Sequence, residues 1–241
     1  MSAEASRDNR VTIWAVVPAA GSGSRMQATL PKQYLQLAGK PVIEHALSAL
    51  YAVPRIAGVV VAVAEADTAW VAVAGRFAGR RLDQVGGGAQ RCHSVLNALE
   101  HLSATAAETD WVLVHDAARP CVRPADIDRL IDACLSGTDG GLLGMPVCDT
   151  MKRVGPAGDV TATVDREGLW HALTPQMFRI GQLRTALQQG IRAEIPLTDE
   201  ASAMEAAGFT PCMVQGRRDN IKITVASDLA LAAFYLEKQG A

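Results

Sequence analysis

The sequence predicts an α/β fold, a mostly parallel, twisted sheet with helices on both faces. Three observations carry this. Short runs such as Val11 to Val17, Gly58 to Ala64 and Trp111 to His115 are apolar on both strand faces, as in strands buried under helices on each side. Between them lie stretches whose apolar residues recur at helical spacing. Aromatic residues make up 5% of the 241 residues, against 49% hydrophobic overall, so the core must rest on Val, Leu, Ile and Ala.

The first strand, Val11 to Val17, runs into Ala19-Ala20-Gly21-Ser22-Gly23-Ser24-Arg25-Met26. Small residues at Ala19, Ala20, Gly21 and Gly23 let backbone N–H groups approach a ligand, and such groups pointing one way cradle an anion. Arg25 and Lys32 add two positive charges close by, a combination suited to a nucleoside triphosphate. The loop lacks the Gly-Lys-Ser/Thr of the P-loop, and Met26 stands where the dinucleotide fingerprint needs its third Gly.

Val42 to Tyr51 reads as a helix after Gly39-Lys40-Pro41, with Pro41 suited to the first turn. A strand from Gly58 to Ala64, a short helix near Asp67 to Gly75 and a strand near Leu82 to Val85 follow. Gly86-Gly87-Gly88 then opens a helix with a stripe at Val95, Ala98, Leu99 and Leu102, and Arg91 and Ser94 fall in its first turns. Trp111 to His115 is a strand ending in Asp116-Ala117-Ala118-Arg119-Pro120; an acid at the carboxyl end of a strand sits where open α/β sheets bind ligands. A helical stripe, Ile127, Leu130, Ile131, Cys134 and Leu135, and a strand from Gly140 to Val147 come next.

Residues 148–168 differ from the rest. Asp149 to Val154, a Gly-Pro-Ala-Gly-Asp turn and Val160 to Val164 predict a hairpin with polar strands, which alone would be marginal and so calls for a partner. After Leu173-Thr174-Pro175-Gln176 a helix is expected from about Gly181 to Gln189, stopped by Gly190. Thr198-Asp199-Glu200 opens another, with Thr198 as cap and Gly208 as stop. Asn220 to Thr224 alternates like a strand, Lys222 facing away from Ile221 and Ile223, and a last helix carries Leu229, Ala232, Ala233 and Leu236 on one face.

Composition narrows the function classes. A formal net charge of −2 leaves no basic footprint for nucleic acid, so anionic substrates must be met by local cations. Residues 1–10 read as a polar, disordered leader. The apolar run after them is too short to span a bilayer and lacks a positive flank, which points to the cytoplasm rather than a membrane or secretion. Cys92, Cys121, Cys134, Cys148 and Cys212 are widely spaced, read as reduced thiols, and the histidines show no metal-ligand spacing.

Pro18-Ala19-Ala20-Gly21-x-Gly23-x-Arg25-Met26 with Pro31-Lys32-Gln33-Tyr34 resembles the signature of the 2-C-methyl-D-erythritol 4-phosphate cytidylyltransferases of non-mevalonate isoprenoid synthesis. Val114 to Pro120, Asp149 to Arg153, Thr163 to Arg166, Leu173 to Gln176, Thr198 to Ser202 and Asp219 to Thr224 match the same family in order along nearly the whole chain. The resemblance implies a Rossmann-like nucleotidyltransferase fold filling residues 11–241 as one domain; the second enzyme fused in some relatives is not expected, because the chain ends soon after its last helix. It also implies a β-hairpin dimerisation arm at about 148–168, a homodimer, and Mg²⁺ with CTP and the alditol phosphate as substrates. Arg25, Lys32 and Lys222 would be catalytic. Ala19, Ala20, Gly21, Gly23, Gly88, Ser94 and Asp116 would bind nucleotide, with Asp116 also meeting the metal directly or through water. Arg119, Thr150, Arg166, Thr174, Thr198 and Thr224 would hold the acceptor, Thr150 and Arg166 across the dimer. Two positions depart from the family pattern: Ala89 replaces a usual acid, leaving only backbone contacts there, and Ser24 replaces a frequent base. Two alternatives stay open, a cytidylyltransferase for another alditol phosphate such as ribitol 5-phosphate, and a non-catalytic nucleotide-binding regulator.

Overall fold

The computed structural model describes residues 11–21 and 30–240. The expected leader at 1–10 and the loop positions Gly23, Ser24 and Arg25 lie outside the described residues. Chain order runs β1 (Ile13–Pro18), a 3₁₀ turn (Lys32–Tyr34), β2 (Gln36–Leu37), β3 (Lys40–Pro41), α1 (Val42–Tyr51), β4 (Ile56–Val63), α2 (Thr68–Gly75), β5 (Leu82–Gly86), α3 (Arg91–Leu102) and β6 (Trp111–Val114). It continues with α4 (Pro124–Leu135), β7 (Gly141–Pro146), β8 (Met151–Val154), β9 (Val160–Val164), β10 (Trp170–Arg179), α5 (Ile180–Arg192), α6 (Glu200–Ala206), β11 (Cys212–Gln215) and α7 (Ser227–Gln239).

Seven strands form one sheet in the order β11-β7-β10-β6-β1-β4-β5. Every neighbouring pair is parallel except those made by β10, which runs antiparallel to both β6 and β7. Side chains alternate across β1, and each set joins a different core. Ile13, Ala15 and Val17 pack with Ile43, Leu47, Ile127 and Leu130 from α1 and α4 on one face. Trp14 and Val16 pack with Val95, Leu99, Leu183 and Leu187 from α3 and α5 on the other. A smaller cluster of Leu37, Val42, Cys121, Ile223 and Ala232 seats α7. Filling both faces with aliphatic side chains accounts for the scarcity of aromatics.

Six expectations need correction. Strand β11 stands where no element was expected, and so does β10, which carries Pro175, a residue disfavoured in central strands. The sheet accommodates it by interrupting the β10–β7 register between Ala172 and Gln176, where a missing N–H does no harm. Helix α5 runs through Gly190 to Arg192; a Cβ there would stand 3.0 Å from the Leu197 side chain, so the glycine serves close packing rather than a stop. The cap of α6 is Asp199, not Thr198: the Asp199 carboxylate accepts from the Ser202 N–H, and the Ser202 hydroxyl faces the Asp199 N–H, a reciprocal capping box. Asn220 to Thr224 forms no ladder, although Lys222 does face away from buried Ile223. Leu135 falls off its stripe and is 39% exposed, while Ile127, Leu130, Ile131 and Cys134 are buried.

The hairpin at 148–168 does form. β8 and β9 pair antiparallel as a separate two-stranded sheet, with Val154 and Val160 more than half exposed at their ends. All five cysteines are free, and burial pushes the thiols of Cys121 and Cys134 up to about 12, keeping them protonated and inert. Among the described residues no helix is long and apolar enough to cross a membrane.

Candidate active site

From β1 the chain crosses to β4 and β5 on one side, then returns to place β6 on the other. Open α/β sheets bind ligands at such a reversal, outside the carboxyl ends of the strands. A cavity of about 530 Å³ lies there, lined by Ala19, Ala20 and Gly21 after β1, by Gly88, Arg91 and Ser94 after β5, and by Asp116 after β6. Lys32, Lys222 and Thr224 complete its polar wall.

The two small-residue loops are held in contact. The Ala19 N–H donates to the Ala62 carbonyl and the Gly87 N–H to the Val63 carbonyl, both at 2.7 Å, extending the parallel ladder into the loops. A Cβ on Gly87 would lie 2.1 Å from the Ala20 Cβ, so only glycine allows this approach. The Ser94 hydroxyl accepts from the Gly88 N–H at 3.0 Å and fixes the second loop to the first turn of α3.

The Pro-Lys-Gln-Tyr segment gains a physical reading. Gln33 is buried, and its amide donates to the carbonyls of Ala19 at 2.7 Å and Gly21 at 3.2 Å, clamping the first loop from beneath. The Tyr34 hydroxyl donates to Asp67 at 2.6 Å. Lys32 Nζ donates to the Ile223 carbonyl at 3.1 Å, which joins the first loop's cation to the segment that carries Lys222.

Asp116 is the charge centre of the site. Its Oδ2 meets Lys222 Nζ at 2.8 Å and Arg119 Nε at 3.6 Å, and its Oδ1 accepts from Arg91 Nε at 2.9 Å. Burial opposes ionisation of this carboxyl, but the charges of Arg91, Lys222 and Arg119 outweigh it and hold the group far below the usual carboxylate range. Burial likewise works against the charge of Arg91, and Glu200 and Asp116 more than restore it. Arg91 reaches Glu200 with two parallel bonds of 2.6 and 3.0 Å.

Behind Asp116 lies a buried polar layer, hydrogen-bonded throughout except at Arg119 Nε and Asn220 Oδ1. The Asp116 N–H donates to Thr174 Oγ1 at 3.1 Å, and Thr174 Oγ1 stands 3.0 Å from His115 Nδ1. His115 Nε2 stands 3.0 Å from the Arg119 carbonyl, which can only accept, so Nε2 carries the proton and Nδ1 accepts from the Thr174 hydroxyl. Burial lowers the His115 pKa to about 4 and keeps the ring neutral. Arg119 donates to the Asn220 carbonyl at 2.8 Å, and the Asn220 amide donates to the Thr174 carbonyl at 2.8 Å.

Of the anticipated residues, Ala19, Ala20, Gly21, Lys32, Gly88, Ser94, Asp116, Lys222 and Thr224 thus share one cavity. Arg119 and Thr174 support it from behind. Thr198 is exposed before α6, and its N–H is satisfied by the Ser202 hydroxyl at 3.1 Å. Thr150 and Arg166 sit exposed on the hairpin, where the Arg166 guanidinium donates to the Cys148 carbonyl, and neither lines the cavity. Sequence reasoning missed Gln33 as a clamp and gave Arg91 no partner. The first-turn position of Arg91 was the only hint, because Glu200 lies more than a hundred residues away.

A mostly parallel sheet whose strand ends carry two closely apposed small-residue loops, with fixed cations around one carboxylate, defines a nucleotidyltransferase-type α/β protein. A family model described as IspD, 2-C-methyl-D-erythritol 4-phosphate cytidylyltransferase, matches residues 13–238, and the chain belongs to that family. It is 54% identical to the enzyme of that name from Aeromonas hydrophila, over 97% of this chain and 93% of that protein. The Vibrio parahaemolyticus enzyme is 52% identical over 93% of this chain and 95% of that protein. Among solved structures, a 4-diphosphocytidyl-2C-methyl-D-erythritol synthase superposes with a TM-score of 0.82 at 36% identity, covering 94% of this chain and all of that one. The Francisella tularensis enzyme superposes with a TM-score of 0.80 at 33% identity, covering 93% of this chain and 99% of that one.

Proposed function

We propose that this chain transfers CMP from CTP to 2-C-methyl-D-erythritol 4-phosphate in the cavity around Asp116. The products are 4-diphosphocytidyl-2-C-methyl-D-erythritol and pyrophosphate. The observation that carries the reading is the set of cations, Lys222, Arg91 and Arg119, already held on Asp116 at the mouth of two loops rich in backbone donors.

An acceptor phosphate oxygen forms the new bond to the α-phosphorus of CTP, and the bond from that phosphorus to the bridging oxygen of pyrophosphate breaks. The acceptor phosphate is already ionised near neutral pH, so no general base is needed. That fits a site of cations and one carboxylate, where catalysis is positioning and charge stabilisation. Arg25, Lys32 and Lys222 would balance charge on the α-phosphate and the leaving pyrophosphate. Ala20, Gly21 and Gly23 would offer N–H groups to the phosphates, with Ala19, whose N–H is held by the Ala62 carbonyl, shaping the wall of the nucleotide site, while Gly88 and Ser94 would face the cytosine side. Arg119, Thr174, Thr198 and Thr224 would hold the acceptor, with Thr150 and Arg166 supplied by a partner subunit through the arm. The exposed, separately paired hairpin supports that homodimer, and a cytoplasmic setting completes the reading.

Asp116 would be the single protein donor to Mg²⁺, direct or through water, with CTP phosphates supplying the other oxygens; direct contact would displace Arg91 or Lys222 from its carboxylate. Among the described residues no group of three acidic, His or Cys side chains gathers to hold an ion unaided. Bound there, Mg²⁺ would neutralise phosphate charge.

The test is pyrophosphate release from CTP and Mg²⁺ with 2-C-methyl-D-erythritol 4-phosphate and ribitol 5-phosphate as separate acceptors. Release with the first alone is expected. Release with ribitol 5-phosphate alone would move the acceptor assignment, and release with neither, despite CTP binding, would favour a regulator.

A further inference from the structure

We infer that Glu200, a residue outside the cavity, is a positioning residue for the transfer reaction: its two-point grip on Arg91 sets where Asp116 and, through it, Lys222 stand when substrates bind. The inference rests on the reading of the cavity given above.

Glu200 is 1% exposed and opens α6, on a different element from every group it serves. Arg91 spans the gap. Both terminal nitrogens bond Glu200, and Nε bonds Asp116 Oδ1 at 2.9 Å, so the planar fork is held at both ends. Asp116 then bonds Lys222 at 2.8 Å. The line Glu200–Arg91–Asp116–Lys222 therefore runs from a buried anchor to a cation on the cavity wall.

The anchor end is rigid for stated reasons. The Asp199–Ser202 capping box fixes the first turn of α6. Gln176 on β10 ties that turn to the sheet, accepting from the Ala201 N–H at 2.8 Å and donating to Asp199 at 2.8 Å. A carboxylate in the first turn of a helix is also favoured by the helix dipole. Arg91, by contrast, has a long side chain that is 27% exposed. Without Glu200 its guanidinium would have only Asp116 and the incoming phosphates to choose between.

Charge count points the same way. Arg91, Arg119 and Lys222 share the carboxylates of Asp116 and Glu200. Neutralising Glu200 leaves Asp116 as the sole carboxylate partner of all three, so Arg91 competes with Lys222 for its oxygens. A buried ion pair is weak evidence for stability, since apolar replacement is often neutral. Placement of the cavity groups is the role the geometry leaves.

The test compares wild type with Glu200→Gln in steady-state CMP transfer, with thermal melts on the same preparations. Glu200→Gln is expected to lower kcat by roughly 10- to 100-fold while the KM for CTP moves about threefold or less, the pattern of misplaced rather than missing groups. Glu200→Asp, which keeps the charge but shortens the reach, should recover part of the loss. In an Arg91→Ala background, Glu200→Gln should cause no further fall in kcat, because its effect travels through Arg91. If Glu200→Gln does not fold, the paired Arg91→Met/Glu200→Met variant removes both charges together and is measured in its place, with the same kcat loss expected. A folded Glu200→Gln or paired variant with wild-type kcat overturns the inference, as does an equal kcat loss from Glu200→Gln with and without Arg91. Absence of transfer by wild type would instead overturn the functional reading itself.

Discussion

The Asp116 cluster and the β8–β9 hairpin are built from the same kinds of residue, cations and short polar side chains, yet they behave differently. Around Asp116 every carboxylate is nearly excluded from water, and each cation is held by a group far away in the chain: Arg91 by Glu200, Lys222 by Asp116 and Arg119 by the Asn220 carbonyl. On the hairpin the polar side chains are exposed, and their bonds are local, such as Lys152 to Thr163 at 2.6 Å across the ladder. Charges in a low-dielectric interior interact strongly and fix one another, whereas exposed pairs contribute little. The first region is therefore organised before any ligand arrives. The second has a defined ladder that nothing among the described residues covers.

Breaking the cluster should give the largest effect. Asp116→Asn is expected to lower kcat/KM by roughly 100- to 1,000-fold and stability by about 3 kcal/mol, since Arg91 and Arg119 lose their shared anion. Steady-state kinetics and urea unfolding measure both, and near-wild-type values in both would remove Asp116 from the centre of the site. Lys32→Ala separates catalysis from stability: turnover at saturating CTP should fall by about 100-fold or more, with stability changed by under about 1 kcal/mol. Wild-type turnover in that variant would refute the role given to Lys32.

A smaller effect should come from pH. The fold keeps His115 neutral, with its pKa lowered from 6.5 to about 4, so between these values the unfolded chain binds more protons. Stability from this residue is then complete above about pH 6.5 and declines as pH falls toward 4, by at most about 1.4 kcal/mol per pH unit. Urea midpoints at several pH values should show this slope, and His115→Asn should flatten it. If the slope is the same in both proteins, the buried neutral ring is not its source.

The hairpin should give the smallest change in stability and the clearest change in assembly. Val154→Asp with Val160→Asp, on exposed positions, should alter subunit stability by about 0.5 kcal/mol or less. Sedimentation at micromolar concentration should nevertheless shift from dimer to monomer. A wild-type protein that is already monomeric there would remove the arm from the functional reading.

Local chemistry made much of the molecule legible. The doubly buried strands, α1 with its bounds, the loop after β1, the glycine loop before α3 and the hairpin all follow from short-range pattern, because apolar periodicity and turn residues act over a few positions. Sequence also marked most residues that line the cavity. What it could not supply were contacts across the fold. Pro175 reads as a strand breaker, and only the interrupted register with β7 makes room for it in β10. Thr198 and Asp199 are both caps by type, and the Ser202 geometry shows that Asp199 takes the role. The pairing of Arg91 with Glu200 depends on α3 and α6 meeting beside the strand ends, which no spacing in the chain encodes. The sequence by itself determined most of the strands, helices and phosphate-type loops, β10 and β11 excepted, since those follow from local propensity and burial pattern. Only the tertiary structure decided which charges share a buried site, because that depends on distances between elements far apart in the chain.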